Sequence, residues 1–135
     1  MHIEEKALYQ VSCYIDRRDM KSFGVTAEDF INRTPLAGLL IKKARQLAKE
    51  STEYEWPGCG FSMEMKFFPD MIELVFSERI EDFVFNLEQT KAALPINQAQ
   101  ELQRVITMIQ MAEEETDARK IISDFENSIK EMNRG

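Results

Sequence analysis

The chain has 135 residues, of which 44% are hydrophobic and 30% are charged. This length corresponds to one ordinary domain, and such a chain buries roughly two-thirds of the surface that it exposes when unfolded. Nine Phe and many aliphatic residues exclude a disordered chain, and only two Cys exclude a disulfide scaffold. No signal peptide is visible and no apolar run approaches the roughly 20 residues of a membrane span, so we expect a cytoplasmic protein without a membrane partner.

The net charge of −7 is unevenly distributed along the chain. Residues 1–50 contain nine Lys and Arg against seven Asp and Glu, whereas residues 51–135 contain eight against seventeen. Nucleic-acid binding depends on clustered cations, so the acidic C-terminal part argues against it. We expect no nucleic-acid partner.

The first predicted element is a strand over residues 7–15, and two helices are predicted after it. Thr26 is expected to cap the first helix, with Asp29 as its third residue. Val25 precedes this cap and is expected to pack on Phe30.

The second helix is predicted to begin at Thr34-Pro35, because Pro is favoured in the first turn. Its apolar residues recur at helical spacing: Leu36, Leu40, Ala44 and Leu47. Its cations form a predicted basic patch: Lys42, Lys43, Arg45 and Lys49. This patch could receive an acidic peptide, could receive the acidic tail of the chain itself, or could be a solvated helix face.

Alternating apolar and polar residues predict two further strands, over residues 61–68 and 71–77. Pro69-Asp70 marks the turn between them, and the register is expected to set Phe67 opposite Ile72. The element order β-α-α-β-β predicts an α+β fold with a small sheet, antiparallel at its hairpin and covered by the helix pair. We assign this α+β domain to residues 1–77.

Residues 78–135 predict a helical extension that Pro95 interrupts, with Asn97 as the expected cap of the helix that follows. Its last helix has an apolar seam at alternating steps of four and three residues: Ala118, Ile122, Phe125, Ile129 and Met132. The part from Ile122 to Met132 is a candidate dimer seam. The alternatives are packing on the sheet or against the rest of the extension.

The sequence predicts no catalytic site, no metal site and no cofactor. The only His is His2, near the N-terminus, and the widely spaced Cys and His residues match no zinc-ligand pattern. Cys59, flanked by two Gly, is the enzymatic alternative, because a nearby cation would lower its pKa and make the thiol reactive. The other interpretation is a small residue that packs against the following strand.

The segment Tyr54-Glu55-Trp56-Pro57 contains the only Trp of the chain. Tyr and Trp contribute much of the binding energy in many protein interfaces, so this segment could anchor a partner peptide. It could equally close one end of the hydrophobic core. Both interpretations stay open at this point.

Four segments of the N-terminal half carry a family resemblance: residues 19–30, 32–35, 54–57 and 61–65, with the sequences DMKSFGVTAEDF, NRTP, YEWP and FSMEM. They resemble the N-terminal domain of the MecA adaptors, the negative regulators of genetic competence of Gram-positive bacteria. In that family the N-terminal domain captures protein substrates. A separate C-terminal domain docks on a Clp-type AAA+ unfoldase, so that the captured substrate is degraded.

The resemblance implies a non-enzymatic adaptor or regulatory protein whose α+β half binds a target protein. The contact residues that we expect are Phe23, Arg33, Tyr54 and Trp56. The mixed α/β C-terminal domain of the family is not visible in residues 78–135, so delivery to a Clp-type protease stays open. Two further alternatives are a homodimeric helical scaffold protein without a Clp link and a thiol-dependent activity at Cys59.

Overall fold

The computed structural model describes the backbone of residues 1–134 and the side chains of residues 1–132. In this part of the chain, the strands are β1 His2–Ala7, β2 Gln10–Asp16, β3 Ser62–Phe67 and β4 Met71–Ser77. The helices are α1 Arg17–Phe23, α2 Ala27–Ile31, α3 Pro35–Glu50, α4 Ile80–Ala92, α5 Ile96–Met111 and α6 Glu115–Arg134. The predicted α+β class and the predicted hairpin are confirmed.

The order β-α-α-β-β was incomplete, because β1 and α1 were not predicted. The strand expected over residues 7–15 begins at Gln10, and Tyr9 lies in the preceding turn with a φ of 64°. Strand β1 contains three consecutive charged residues and lies at the edge of the sheet, so it lacks the alternation of a half-buried strand. Helix α1 contains no fully buried residue and therefore has no apolar stripe to detect.

The chain divides into two compact units. The α+β unit consists of residues 1–56 and 63–77. The helical unit consists of α4, α5 and α6 together with Pro57–Ser62. The predicted domain of residues 1–77 is therefore corrected at this segment.

The sheet of the α+β unit has the strand order β1-β2-β4-β3. Strands β2 and β4 form its antiparallel centre, where Cys13 pairs with Leu74 and Ile15 pairs with Ile72. These four side chains are buried and lie on one face of the sheet. The neighbouring pairs therefore form a continuous apolar surface for the helices to cover.

Helix α3 packs on β2 and β4, and α2 packs on α3. The predicted caps are confirmed: Thr26 and Asp29 form a capping box at α2, and the Thr34 side chain caps α3. The predicted buried face of α3 was partly wrong. Its fully buried residues are Ala37, Leu40, Ala44 and Ala48, whereas Leu36 is exposed and Leu47 is half-buried. Small side chains lie on the sheet side because they let the helix backbone approach the strands closely.

The helical unit has its own core, to which α4, α5 and α6 contribute Phe83, Leu87, Ile106, Ile109, Ala118 and Ile122. Helix α5 begins directly after Pro95, so the predicted cap at Asn97 is wrong. The fixed φ of Pro95 and its missing backbone N–H are compatible with a position at the N-terminal end of a helix. The candidate dimer seam is also corrected at Ile122, because this side chain is fully buried in the core.

Candidate functional site

The four expected contact residues are distributed along α3. Arg33, with a φ of 51°, precedes the helix, and Phe23 lies beside Lys43 near its middle. Tyr54 and Trp56 follow its C-terminal end. A helix of 16 residues is about 24 Å long, so the four residues do not converge on one site.

Tyr54 and Trp56 form an aromatic cluster with Tyr9, which lies in the turn between β1 and β2. The ring of Tyr54 is 5.4 Å from that of Tyr9 and 5.8 Å from that of Trp56. The third pair, Tyr9 and Trp56, is 6.1 Å apart. These distances are within the range of favourable aromatic contacts.

The polar groups of this cluster are hydrogen-bonded within the α+β unit. The backbone N–H of Tyr9 donates to the Tyr54 hydroxyl oxygen at 2.9 Å, and the indole N–H of Trp56 donates to the Thr52 hydroxyl at 2.8 Å. Partial burial is the main reason that the pKa of the Tyr54 hydroxyl is raised. This arrangement favours closure of one end of the core as the role of Tyr54. Tyr9, Tyr54 and Trp56 are all half-buried, so each ring keeps part of its surface exposed.

The four cations of the predicted basic patch have different surroundings. The ammonium group of Lys43 lies 5.0 Å from the ring centre of Phe23, and that of Lys49 lies 5.5 Å from the ring centre of Trp56. These are cation–π contacts, which use the lysines to cover aromatic rings. Lys42 is exposed and Arg45 is half-buried.

An apolar cleft, which we name the hairpin cleft, lies between the β3–β4 hairpin and the α1–α2 region of the α+β unit. Its volume is about 710 Å³. Its apolar lining comes from both sides of the cleft: Met20, Val25, Ile31, Phe67, Phe68 and Ile72. Three of these side chains are large and exposed, namely Ile31 at 63%, Phe67 at 46% and Phe68 at 45%.

The cleft exists because burial of the apolar sheet face decreases from β4 to β3. Ile72, Leu74 and Phe76 of β4 are buried, whereas Met65 of β3 is half-buried and Phe67 is exposed. Sequence alternation correctly assigned Phe67 to an apolar strand face, but alternation carries no information on whether a helix covers that face. Consecutive Phe67 and Phe68 next to the turn were the only local signal of this surface.

The walls of the cleft are held by hydrogen bonds. The guanidinium of Arg17 donates to the carbonyl of Pro69 at 3.0 Å, which connects α1 to the hairpin turn. The N–H of Phe68 donates to the carbonyl of Met71 at 2.9 Å and closes that turn. The backbone N–H of Val25 donates to the carbonyl of Met20 at 2.9 Å after the end of α1. The cleft is therefore lined by ordered backbone on both sides.

Cys59 belongs to the helical unit and contacts α6. Its thiol lies 3.7 Å from the carbonyl of Arg119, and the guanidinium of Arg119 donates to the Cys59 carbonyl at 3.1 Å. Burial raises the pKa of the Cys59 thiol and outweighs the opposite effect of the nearby Arg119 cation. A reactive thiolate requires a lowered pKa, so these surroundings favour a packing role. The contact is with α6 and the core of the helical unit, whereas the sequence analysis expected the following strand.

A second concave surface, the helical groove, lies within the helical unit. It has a volume of about 990 Å³ and is lined by all three helices, including Leu87, Leu102, Phe125 and Ile129. The exposed part of the α6 seam begins here, because Ile129 is 40% exposed and Met132 is 80% exposed.

Comparisons with family models, with curated proteins and with solved structures found no match to this chain. Among the described residues, no group of three or more His, Cys, Asp or Glu side chains is placed to hold a metal ion. No helix in the described part of the chain has the length and apolarity needed to cross a membrane.

Proposed function

We propose that this protein is a non-enzymatic adaptor or regulatory protein of the MecA type that binds a target protein through the hairpin cleft of its α+β unit. The observation that carries the proposal is the concentration of Ile31, Phe67 and Phe68 as exposed side chains around one cleft. Exposed apolar patches with a defined shape mark interaction sites more often than scattered single residues do.

The energetic argument rests on these three side chains. Full burial of one large apolar side chain stabilises a complex by roughly 1.5–3 kcal/mol. Binding also has to offset the lost freedom of both partners, which costs several kcal/mol. Ile31, Phe67 and Phe68 are 63%, 46% and 45% exposed, so covering them contributes about half of this value for each side chain. The three side chains therefore supply a part of the binding energy, as expected for a weak interaction from which an adaptor releases its target.

The non-enzymatic part of the proposal is supported by the environment of the thiols. Cys13 is buried, and burial raises its pKa to about 11. Cys59 also has a raised pKa, and His2, the single imidazole, is 5.8 Å from the ring centre of Tyr14 rather than beside a thiol. A thiol-dependent activity at Cys59 therefore has little support.

A differential capture experiment tests binding through the cleft. Immobilised wild type and Phe67→Ser are compared for the proteins that they retain from a Gram-positive bacterial lysate. Leu39→Ser is the matched control, because Leu39 is 65% exposed in the same unit and does not line the cleft. We expect targets that wild type and Leu39→Ser retain and that Phe67→Ser loses. Equal retention by all three proteins would contradict the proposal.

The contact assignments based on the family resemblance need a separate variant. Trp56→Ala is expected to reduce target retention while the fold is preserved, as measured by circular dichroism. If Trp56→Ala retains every target, Trp56 serves the aromatic cluster alone. Arg33→Ala and Phe23→Ala test two of the other three positions in the same assay.

Delivery to a protease is tested with the ATPase rate of a Clp-type AAA+ unfoldase from a Gram-positive bacterium. Stimulation by the purified protein would mean that the helical unit replaces the docking domain of the family. No stimulation, with no co-elution on a sizing column, would leave a target-binding regulator without a Clp link.

The second candidate function is a homodimeric helical scaffold protein. The observation that favours it is the helical groove with the exposed Ile129 and Met132 at the end of the α6 seam. In this function a second copy would cover the groove.

A further inference from the structure

The position of β3 determines how a ligand can approach the hairpin cleft. Strand β3 is at the edge of the sheet, next to β4. An edge strand presents alternate N–H and C=O groups outward, which is the arrangement that an extended peptide uses to add a strand. Phe67 ends β3 and lines the cleft, so the edge and the apolar lining are adjacent.

The apolar lining fits side chains of an extended segment. Successive side chains of a strand point to opposite faces, so every second residue of an added strand would lie on the face of Phe67 and Ile72. Phe67 and Ile31, which are exposed, would then contact the apolar residues of the segment. The polar residues between them would point to the other sheet face.

The charges that line the cleft have one sign. Arg17 and Lys21 contribute to the lining, and no described lining residue is an Asp or a Glu. The carboxylate of Asp19, between them in sequence, accepts from the N-terminal ammonium group at 3.1 Å and belongs to the capping box of α1. Both charged side chains of the lining are therefore cations, in a chain with a net charge of −7.

Local charge dominates over net charge for a ligand in contact with the cleft. At physiological ionic strength, screening reduces interactions beyond about 8 Å. An acidic residue within a few ångströms of Lys21 is attracted, although the protein as a whole is acidic. Arg17 already donates to Pro69, and its planar guanidinium has further donors for a carboxylate.

We propose that the ligand of the hairpin cleft is an extended segment of a partner protein that adds to β3, with apolar residues at alternate positions and acidic residues at the next alternate positions, on the same face. This inference rests on the proposed function and specifies the chemistry of its target. A basic segment would be repelled by Lys21, and a purely polar segment would make no apolar contact with Phe67.

Three fluorescein-labelled peptide probes test the ligand class by fluorescence anisotropy. The first has two Leu at alternate positions, with one Glu two residues before the first Leu and one Glu two residues after the second, in a Ser and Gly background. The second has Lys in place of Glu, and the third has Ser in place of Leu. We expect the first probe to bind wild type at least tenfold more tightly than either of the others. Similar binding of the Glu and Lys probes, or no binding of the first probe, would overturn the inference.

Variants of the protein locate the binding. Lys21→Glu should weaken binding of the Glu probe at least fivefold and strengthen that of the Lys probe, whereas Lys42→Glu is the control, because Lys42 is exposed in the same unit outside the cleft. Phe67→Ser should abolish binding of all probes. An equal effect of the two charge reversals would mean that the acidic residues are not recognised in the cleft.

Strand addition is tested with the first probe after N-methylation of alternate backbone amides. Methylation removes the donors that would pair with β3, so we expect at least a tenfold loss of affinity. Unchanged affinity would overturn the strand-addition geometry. The differential capture with Phe67→Ser remains a separate result: cleft-dependent capture without binding of the acidic probe would refute the ligand class alone, and its absence would refute the proposed function.

Discussion

Gly58 and Gly60 lie in the segment that joins the core of the helical unit, and both have left-handed backbone angles, with φ of +81° and +79°. A side chain in this region is strained by roughly 1–2 kcal/mol. The two positions differ in their surroundings. A Cβ at Gly60 would lie 3.0 Å from the guanidinium of Arg119, whereas a Cβ at Gly58 would meet no atom within 4 Å.

We therefore expect Gly60→Ala to lower the free energy of unfolding more than Gly58→Ala. Both variants have the backbone strain, and only the first displaces the Arg119 guanidinium from its hydrogen bonds, at an added cost of about 1–3 kcal/mol. Urea denaturation followed by circular dichroism measures both values. Equal destabilisation would show that Arg119 moves without losing its contacts.

The two thiols allow a prediction on reactivity. Burial raises the pKa of Cys13 to about 11 and also raises that of Cys59, so both are largely protonated at pH 7.5. The thiolate is the reactive form, and its fraction grows as the pH rises towards the pKa. We expect iodoacetamide to modify Cys59 more slowly than a cysteine in the denatured protein, and to modify buried Cys13 more slowly still.

Mass spectrometry of the alkylated peptides separates the two sites, and the protein in guanidinium chloride is the control. Faster modification of native Cys59 than of denatured Cys59 would restore the thiol-dependent alternative. The sequence could identify Cys59 as the lead, because two Gly flank it. It could not show burial against α6, which depends on a residue 60 positions later.

At the scale of elements, Arg119 connects the segment Pro57–Ser62 to α6. Its guanidinium donates to the carbonyls of Glu78 at 2.6 Å and Cys59 at 3.1 Å, and Gly60 donates to the carboxylate of Glu126 at 3.1 Å. These bonds satisfy backbone groups of a segment without regular secondary structure. Loss of Arg119 would leave two carbonyls without these donors.

We expect Arg119→Ala to destabilise the protein by at least about 2 kcal/mol, since two partly buried carbonyls each lose a donor at a cost of about 1–3 kcal/mol. Arg119→Lys should recover little, because an ammonium group cannot donate in the planar fork of a guanidinium. Arg104→Ala is the control at an exposed position on α5, where a change within about 0.5 kcal/mol is expected. Thermal unfolding compares the three variants, and similar values for Arg119→Ala and Arg104→Ala would contradict the assigned role.

Elements with local signals were predicted well. The capping residues Thr26 and Thr34 fixed the starts of α2 and α3, and Pro69-Asp70 fixed the hairpin turn. Strand β1 was missed because its pairing partner, not its composition, makes it a strand. Helix α1 had one detectable signal, the Asp16 and Asp19 capping box, which opens a segment without buried residues.

The hairpin cleft shows why the candidate site was harder to predict than the elements. Its lining combines α1 and α2 with residues of the hairpin some 40 positions later in the chain. Helical and strand periodicity identify which side of an element is apolar, but they do not identify which apolar side stays uncovered. Ile31 and Phe67 follow the pattern of core residues, and only the packing of α3 on β2 and β4 distinguishes them from Leu40 and Leu74.

At the scale of the whole molecule, the helical groove is the surface through which the scaffold function would form a dimer. The apolar seam of α6 begins inside the core at Ala118 and ends exposed at Met132. The lining of the groove contains charges of both signs, namely Glu101, Glu126 and Lys130. In a two-fold interface a residue of one copy meets a different residue of the same patch on the other copy, which allows Lys130 to face Glu101 or Glu126.

If the scaffold function is correct, light scattering at high protein concentration will give the mass of a dimer, and Ile129→Glu will shift it to the monomer. A charge placed at Ile129 would be buried without a partner in the dimer, which costs several kcal/mol, and would stay solvated in the monomer. Met111→Glu is the matched control, because Met111 is 75% exposed on α5 and does not line the groove. A monomeric wild type would remove the scaffold function and leave target binding by the α+β unit, since the hairpin cleft lies within that unit and requires no second copy.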